Sequence, residues 1–216
     1  MGSTNQKSII LSNGKKLYFK NESEKYQVIF AIKNPYGHKE SFIYKQICEE
    51  FNYIYLSTGD ILERICLEKN QNKEYNNIIE NVKNGDLITS NEMVNILKNE
   101  ILKFENCNYI LIDGFPRNIE NVIEWENIMN GITKIKKVFY IKITDEEIKK
   151  RLDDDYKLKQ TKNEKLEKQI NIYNDNIISL IEKYKNENLL IEIDGMKKEE
   201  EIFKNLYQKF IKNKLF

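Results

Sequence analysis

The chain has 216 residues, 40% hydrophobic and 32% charged, with a formal net charge of +1. This composition suits one globular domain with a sizeable core and offers no overall attraction to nucleic acid or acidic membranes. No apolar run approaches a membrane span, and Cys48, Cys66 and Cys107 lack the spacing of a zinc site or disulfide framework, so reduced thiols and a cytoplasmic location are expected.

The first pattern is "SIILSNGKKLYF", residues 8–19. Two apolar runs flank Asn13-Gly14, the favoured two-residue turn, and predict a β-hairpin within an N-terminal extension over 1–25. Short runs rich in Ile, Val, Phe and Tyr follow at 27–32, 53–56, 108–112, 137–143 and 188–193. Helical stripes separate them: Ile43, Ile47 and Phe51; Met93, Leu97 and Ile101; Leu166 through Tyr184; Ile202, Leu206 and Phe210. Apolar strands alternating with helices indicate an α/β fold whose parallel sheet is covered on both faces. Residues 58–105 show two or three helices without a clear strand and read as an insert. "DDDYKLKQTKNEK", residues 153–165, is polar and weakly periodic, which predicts a loop or a helix start.

In such a sheet, ligands bind beyond the carboxyl ends of the strands. "KNPYGHKES", Lys33 to Ser41, lies between the first core strand and a helix, the setting of a phosphate-binding loop. Further on, "ILIDGFPRNIEN" carries three apolar residues, then Asp113, Gly114, Phe115, Pro116, Arg117 and Asn121. This pattern resembles the signature of the nucleoside monophosphate kinases. "LSTGDIL" (56–62), "VKNGDLITSNEMVNILKNEI" (82–101) and "IEIDG" (191–195) resemble further family segments in the correct order. The resemblance covers roughly residues 26–212, and "PRNIENVIEWENIM" is most similar to the UMP/CMP kinases.

The resemblance implies a P-loop fold: a five-stranded parallel sheet flanked by helices, a monophosphate-binding insert over 58–88 and a short lid over 153–165. It implies transfer of the γ-phosphoryl of ATP, with Mg²⁺, to a nucleoside monophosphate. UMP or CMP is favoured over AMP, because Asn121 stands where adenylate kinases generally have Gln. The implied nucleotide- and phosphate-binding residues are Pro35, Gly37, Lys39, Ser41, Thr58, Gly59, Asp60, Asp113, Gly114, Arg117 and Asn121. Lys39, Arg117 and Arg151 are the implied catalytic residues, and Ser41 and Asp113 would hold Mg²⁺ through water. A monomer is expected, with no nucleic-acid or membrane partner.

The chain also departs from the family. Its loop pattern is Gly-x-Pro-Gly-x-Gly-Lys-Gly-Thr; here only Pro35, Lys39 and the Ser41 hydroxyl match, and Gly37 sits one position off. Glycines in such loops take positive φ and let N–H groups approach phosphate. Tyr36 and His38 make both harder. Glu40 adds a carboxylate: at ~4 Å and an effective dielectric near 20, it would repel a phosphate charge by roughly 4 kcal/mol. The chain has three arginines in all, Arg64, Arg117 and Arg151. Glu63 stands at the insert's arginine position and Gln169 at that of the following helix, while the lid segment has Lys157, Lys159 and Lys162 but no arginine. Lysine does not reproduce the bidentate fork of arginine. Several readings stay open: a working UMP/CMP kinase whose lysines substitute for arginines; a kinase of that type with weak or lost activity, or a non-catalytic relative kept for nucleotide binding or protein interaction; an adenylate kinase-like enzyme acting on AMP; and an unrelated scaffold that binds no nucleotide.

Overall fold

The structure, a computed structural model, describes residues 8–10, 16–18, 25–35, 38–67, 76–84, 86, 88–105, 107–144, 146–148, 150 and 164–215. For residues 8–10, 16–18, 38–39, 76–77 and 164–169 it describes the backbone alone. Strands β1 (Ser8–Ile10) and β2 (Lys16–Tyr18) pair antiparallel, with Ser8 opposite Tyr18.

The body is built on β3 (Tyr26–Ile32), β4 (Ile54–Ser57), β5 (Tyr109–Asp113), β6 (Thr133–Lys142) and β7 (Leu190–Asp194). These form one parallel sheet in the order β4-β5-β3-β6-β7. Side chains alternate across it, so Val28, Phe30 and Ile32 enter one core while Ile29 and Ala31 enter the other. Both faces are apolar, which is why β3 reads as an unbroken hydrophobic run. β6 begins at Thr133, four residues before the apolar run suggests, because its first half, Thr133 to Lys136, alternates polar and apolar residues.

The helices are α1 (His38–Glu50), α2 (Thr58–Leu67), α3 (Asn76–Asn84), α4 (Ser90–Ile101), α5 (Ile119–Met129), α6 (Glu164–Asn186) and α7 (Glu199–Lys212). Helices α2 to α4 occupy the stretch read as an insert. A capping box starts α4: Thr89 Oγ1 accepts from Glu92 N–H while Glu92 accepts from Thr89 N–H. Asn118 caps α5 by accepting from Asn121 N–H at 2.8 Å. Behind β3 and β5, Phe30 packs edge-on against Phe115 and Trp125, with ring centroids 5.2 and 5.0 Å apart. This buried cluster fixes the turn that leaves β5. Chain direction changes around β3: α1 leads to β4 on one side, and the chain later crosses to β6 on the other. The carboxyl end of β3 is therefore the topological switch point.

Candidate functional site

The turn after β3 meets the end of β5 at the switch point. Gly114 N–H donates to Ala31 O at 2.9 Å, tying the two strand ends together. Gly114 has φ of 85°, and a Cβ there would lie 2.5 Å from Thr58 Oγ1, so both the turn and the fit require glycine. Thr58 is buried, and its hydroxyl is 3.2 Å from the carbonyls of both Asp113 and Gly114. It thereby anchors the start of α2 to the end of β5. Gly59 follows in the first turn of α2, and Ser57 Oγ accepts from Asp60 N–H at 3.2 Å. The Asp60 carboxylate is exposed and pairs with Lys45 at 3.6 Å.

Asp113 is the centre of the arrangement. Its side chain is fully buried, and Oδ2 accepts from Ser41 Oγ and from Tyr55 OH, both at 2.6 Å. Burial pushes the Tyr55 hydroxyl pKa up, and the Asp113 charge adds to the effect. Lys33 Nζ lies 3.0 Å from Ser41 Oγ and 3.9 Å from Asp113 Oδ2. Asp113 Oδ1 is buried and has no hydrogen-bond partner among the described residues. The loop therefore returns from β3 to the carboxylate of β5, as a phosphate-loop register demands. Pro35 occupies the turn itself and is half-buried, and Lys39 lies in the first turn of α1, its side chain outside the described residues. Gly37, Arg151 and the 153–163 part of the lid segment lie outside the described residues.

Glu40 corrects the sequence expectation. Instead of facing the cleft as a bare charge, it is 2% exposed and accepts from Asn34 Nδ2 at 2.6 Å. Asn34 also donates to Ile141 O, and its Oδ1 accepts from Tyr173 OH at 2.7 Å. Tyr173 OH is in turn 2.9 Å from Tyr140 OH. Loop, α1, β6 and α6 are joined by this buried polar network. Sequence reasoning missed Asn34, Tyr55 and Tyr173. For Asn34 the one available signal is an amide directly after a buried strand, which needs partners once it is covered.

On the side that the resemblance assigns to the monophosphate, Leu62, Asp86, Ile88, Met93, Gly114, Phe115, Arg117 and Asn121 line a cavity of about 30 Å³. Arg117 reaches solvent along part of its side chain, and its Nε donates to Gly114 O at 3.3 Å. Surrounding protein lowers the guanidinium pKa, and Asp113 partly opposes this. Arginine nevertheless stays charged at any ordinary pH. Asn121 is buried: its Oδ1 accepts from Arg117 N–H at 3.0 Å, and its Nδ2 donates to Ser90 Oγ at 2.8 Å. It thus holds Arg117 and α4 in place while lining the cavity. Arg64, the neighbour of Glu63, pairs with Glu100 at 2.6 Å.

A second cleft, of about 330 Å³, opens between α1 and the turn after β7. Glu40, Glu147, Glu199 and Glu200 line it together with Lys197 and Lys198. Its carboxylates outnumber its lysines, an unfavourable balance for a polyphosphate. Ser41 and Asp113 are the pair that the resemblance assigns to Mg²⁺. The buried Oδ1 suits a hydrated cation, but the Lys33 ammonium already faces Oδ2. A divalent ion ~4 Å from an ammonium is repelled by about 8 kcal/mol at an effective dielectric near 20. As arranged, these residues do not fit a divalent ion.

Comparison with known proteins agrees with the geometry. The family pattern described as "Adenylate kinase" matches residues 41–189. UMP-CMP kinase 3 of Oryza sativa subsp. japonica is 30% identical over 187 residues, covering 85% of each chain. UMP-CMP kinase of Homo sapiens is 29% identical over 195 residues, covering 86% of this chain and 97% of its own. UMP-CMP kinase 2 of Caenorhabditis elegans is 26% identical over 170 residues, covering 78% and 87%. Fold, switch-point geometry and sequence together establish that the chain belongs to the adenylate kinase family of nucleoside monophosphate kinases, with UMP-CMP kinases among its relatives.

Proposed function

We propose that the chain binds a pyrimidine nucleoside monophosphate, UMP or CMP in preference to AMP, and that its phosphoryl transfer from ATP is weak or lost. The observation that carries this reading is an asymmetry. The monophosphate side keeps Arg117, held by Asn121 and Gly114 beside a cavity lined by Leu62, Met93 and Phe115. The loop has instead been rebuilt into side-chain contacts through Asn34 and Glu40, and the neighbouring cleft is rich in carboxylates.

Phosphoryl transfer depends on aligning two nucleotides and spreading positive charge over the transferring group. In the proposed reading, Arg117 grips the acceptor phosphate, and Gly114 leaves room for it near the strand ends. Asn121 lines the cavity and sets the Arg117 backbone, its amide being bonded to Arg117 N–H and Ser90 Oγ. Gly37, Lys39 and Pro35 shape the donor loop, Thr58, Gly59 and Asp60 start the acceptor insert, and Arg151 follows β6. One transition-state arginine contributes about 10³–10⁵ in rate. With Glu63 and Gln169 at two arginine positions, a large loss of turnover follows.

A coupled assay with UMP, CMP and AMP as acceptors tests this directly. The expected result is turnover at least ~10³-fold below that of a relative with its arginines intact, because an arginine contributes about that much. Turnover matching such a relative would show that lysines of the 153–165 segment supply the missing charge. No detectable binding of any nucleotide would favour a protein-interaction role.

A further inference from the structure

Lys33 stands in the first position after β3, where the family loop begins with glycine. Its ammonium is 3.0 Å from Ser41 Oγ and 3.9 Å from Asp113 Oδ2, the two groups that would hold a divalent ion. We propose that the Lys33 ammonium stands in for that ion, so that the site takes a nucleoside phosphate free of metal. The inference rests on the reading of this turn as a nucleotide-phosphate site.

Three features support it. The lysine side chain is 27% exposed and the carboxylate 0%, so this is a partly buried pair and not a fully screened surface contact. The side chain runs past Gly114, where an added Cβ would lie 3.8 Å from Lys33 Cδ. The charges also balance, because one ammonium neutralises the one carboxylate at the centre of the site. Ser41 Oγ accepts from Lys33 and donates to Asp113, so the three groups form a single directed chain of hydrogen bonds. An ammonium carries three donors, and Ser41 Oγ takes one of them. A phosphate oxygen arriving at the end of β3 would meet a cation held in place by protein. A metal bound to the incoming nucleotide would meet the same ammonium as a like charge. The neutral side chain of Lys33→Met keeps most of the length and removes this conflict.

The test measures ADP binding by calorimetry in excess Mg²⁺ and in excess EDTA, for the wild type, Lys33→Met and Lys33→Gly. Wild-type ADP is expected to bind at least about fivefold tighter in EDTA than in Mg²⁺, whereas each variant should bind ADP at least about fivefold tighter with Mg²⁺. A wild type that binds ADP equally well or better in Mg²⁺ overturns the proposal without reference to any variant. Variants that remain indifferent to Mg²⁺ overturn it as well. If one variant fails to fold, the other is read. If wild-type ADP binding is absent in both conditions, the nucleotide reading fails and Mn²⁺ alone decides the role of Lys33. In that case Mn²⁺ should raise the melting temperature of the variants and leave the wild type unchanged. A Mn²⁺ response in the wild type, or none in the variants, then overturns it.

Discussion

Replacing Glu40 separates the two roles that this carboxylate can have. A charge facing the phosphates would make Glu40→Ala a gain-of-affinity variant, by up to roughly 4 kcal/mol at contact distance. The structure leads to a different expectation. Glu40 is 2% exposed, and its Oε1 accepts a 2.6 Å hydrogen bond from Asn34 Nδ2. A buried hydrogen bond to a charged group contributes about 1.5–3 kcal/mol. Glu40 also lies in the first turn of α1, where an acid gains about 0.3–1 kcal/mol from the helix dipole. Together these give roughly 3 kcal/mol of lost stability for Glu40→Ala. At about 2–4 °C per kcal/mol for a chain of this size, the melting temperature should fall by roughly 6–12 °C. Differential scanning calorimetry reads the stability, and an ATP titration of the same sample reads the affinity. The affinity should change by less than about threefold, because the carboxylate, although in the wall of the second cleft, is buried and bonded to Asn34. An unchanged melting temperature together with a tenfold or greater gain in ATP affinity, about 1.4 kcal/mol, would refute the buried-network reasoning.

Other perturbations follow from the same geometry. Gly114→Ala should destabilise the chain by about 3 kcal/mol or more, since strained φ and a blocked contact each cost of order 1–3 kcal/mol, measured by urea denaturation; the clash is a Cβ placed 2.5 Å from Thr58 Oγ1. Cys48 is buried, and burial pushes its thiol pKa well up, so a thiol reagent at mildly alkaline pH should label Cys66 and Cys107 and spare Cys48 until the chain unfolds. Burial likewise raises Tyr44, Tyr55 and Tyr184. These groups ionise in the unfolded chain at lower pH than in the folded one, so the unfolded chain releases protons first and stability falls as pH rises. With Cys48, which ionises in the unfolded chain at about pH 8.5, the melting temperature should be flat up to about pH 7.5 and decline from there through about pH 11 and beyond.

Much of this fold was legible because its signals are local. The unbroken apolar runs at β3 and β5 mark strands buried on both faces, and the Asp113-Gly114 turn follows from its own residues. The insert's helices and the return of the loop to Asp113 also follow from the family pattern. The polar interior of the loop was not legible. Asn34 reaches Glu40, only six residues away, but also Tyr173 on α6, far along the chain. Nothing in the loop sequence states that Glu40 points inward; that depends on a partner supplied by Asn34 and a cover supplied by tertiary packing. Lys33 was hidden for a related reason. As a lone lysine after a strand it reads as a surface charge, and only the parallel register of β3 and β5 brings it to Asp113. The early start of β6 was missed because its first half alternates and carries Lys134 and Lys136, with only Thr133 buried there.

The central claim is that the acceptor side of this site outlasts the donor side. Calorimetric titration of the wild type with UMP, CMP, AMP and ATP–Mg²⁺, repeated with Arg117→Ala, tests it most directly. The account predicts that UMP or CMP binds tighter than AMP and ATP–Mg²⁺. It also predicts that Arg117→Ala weakens the pyrimidine monophosphate by about 10–100-fold, the worth of a charge-assisted contact to phosphate. ATP–Mg²⁺ binding equal to or tighter than that of the monophosphates, or an Arg117→Ala variant that binds them as the wild type does, would contradict it.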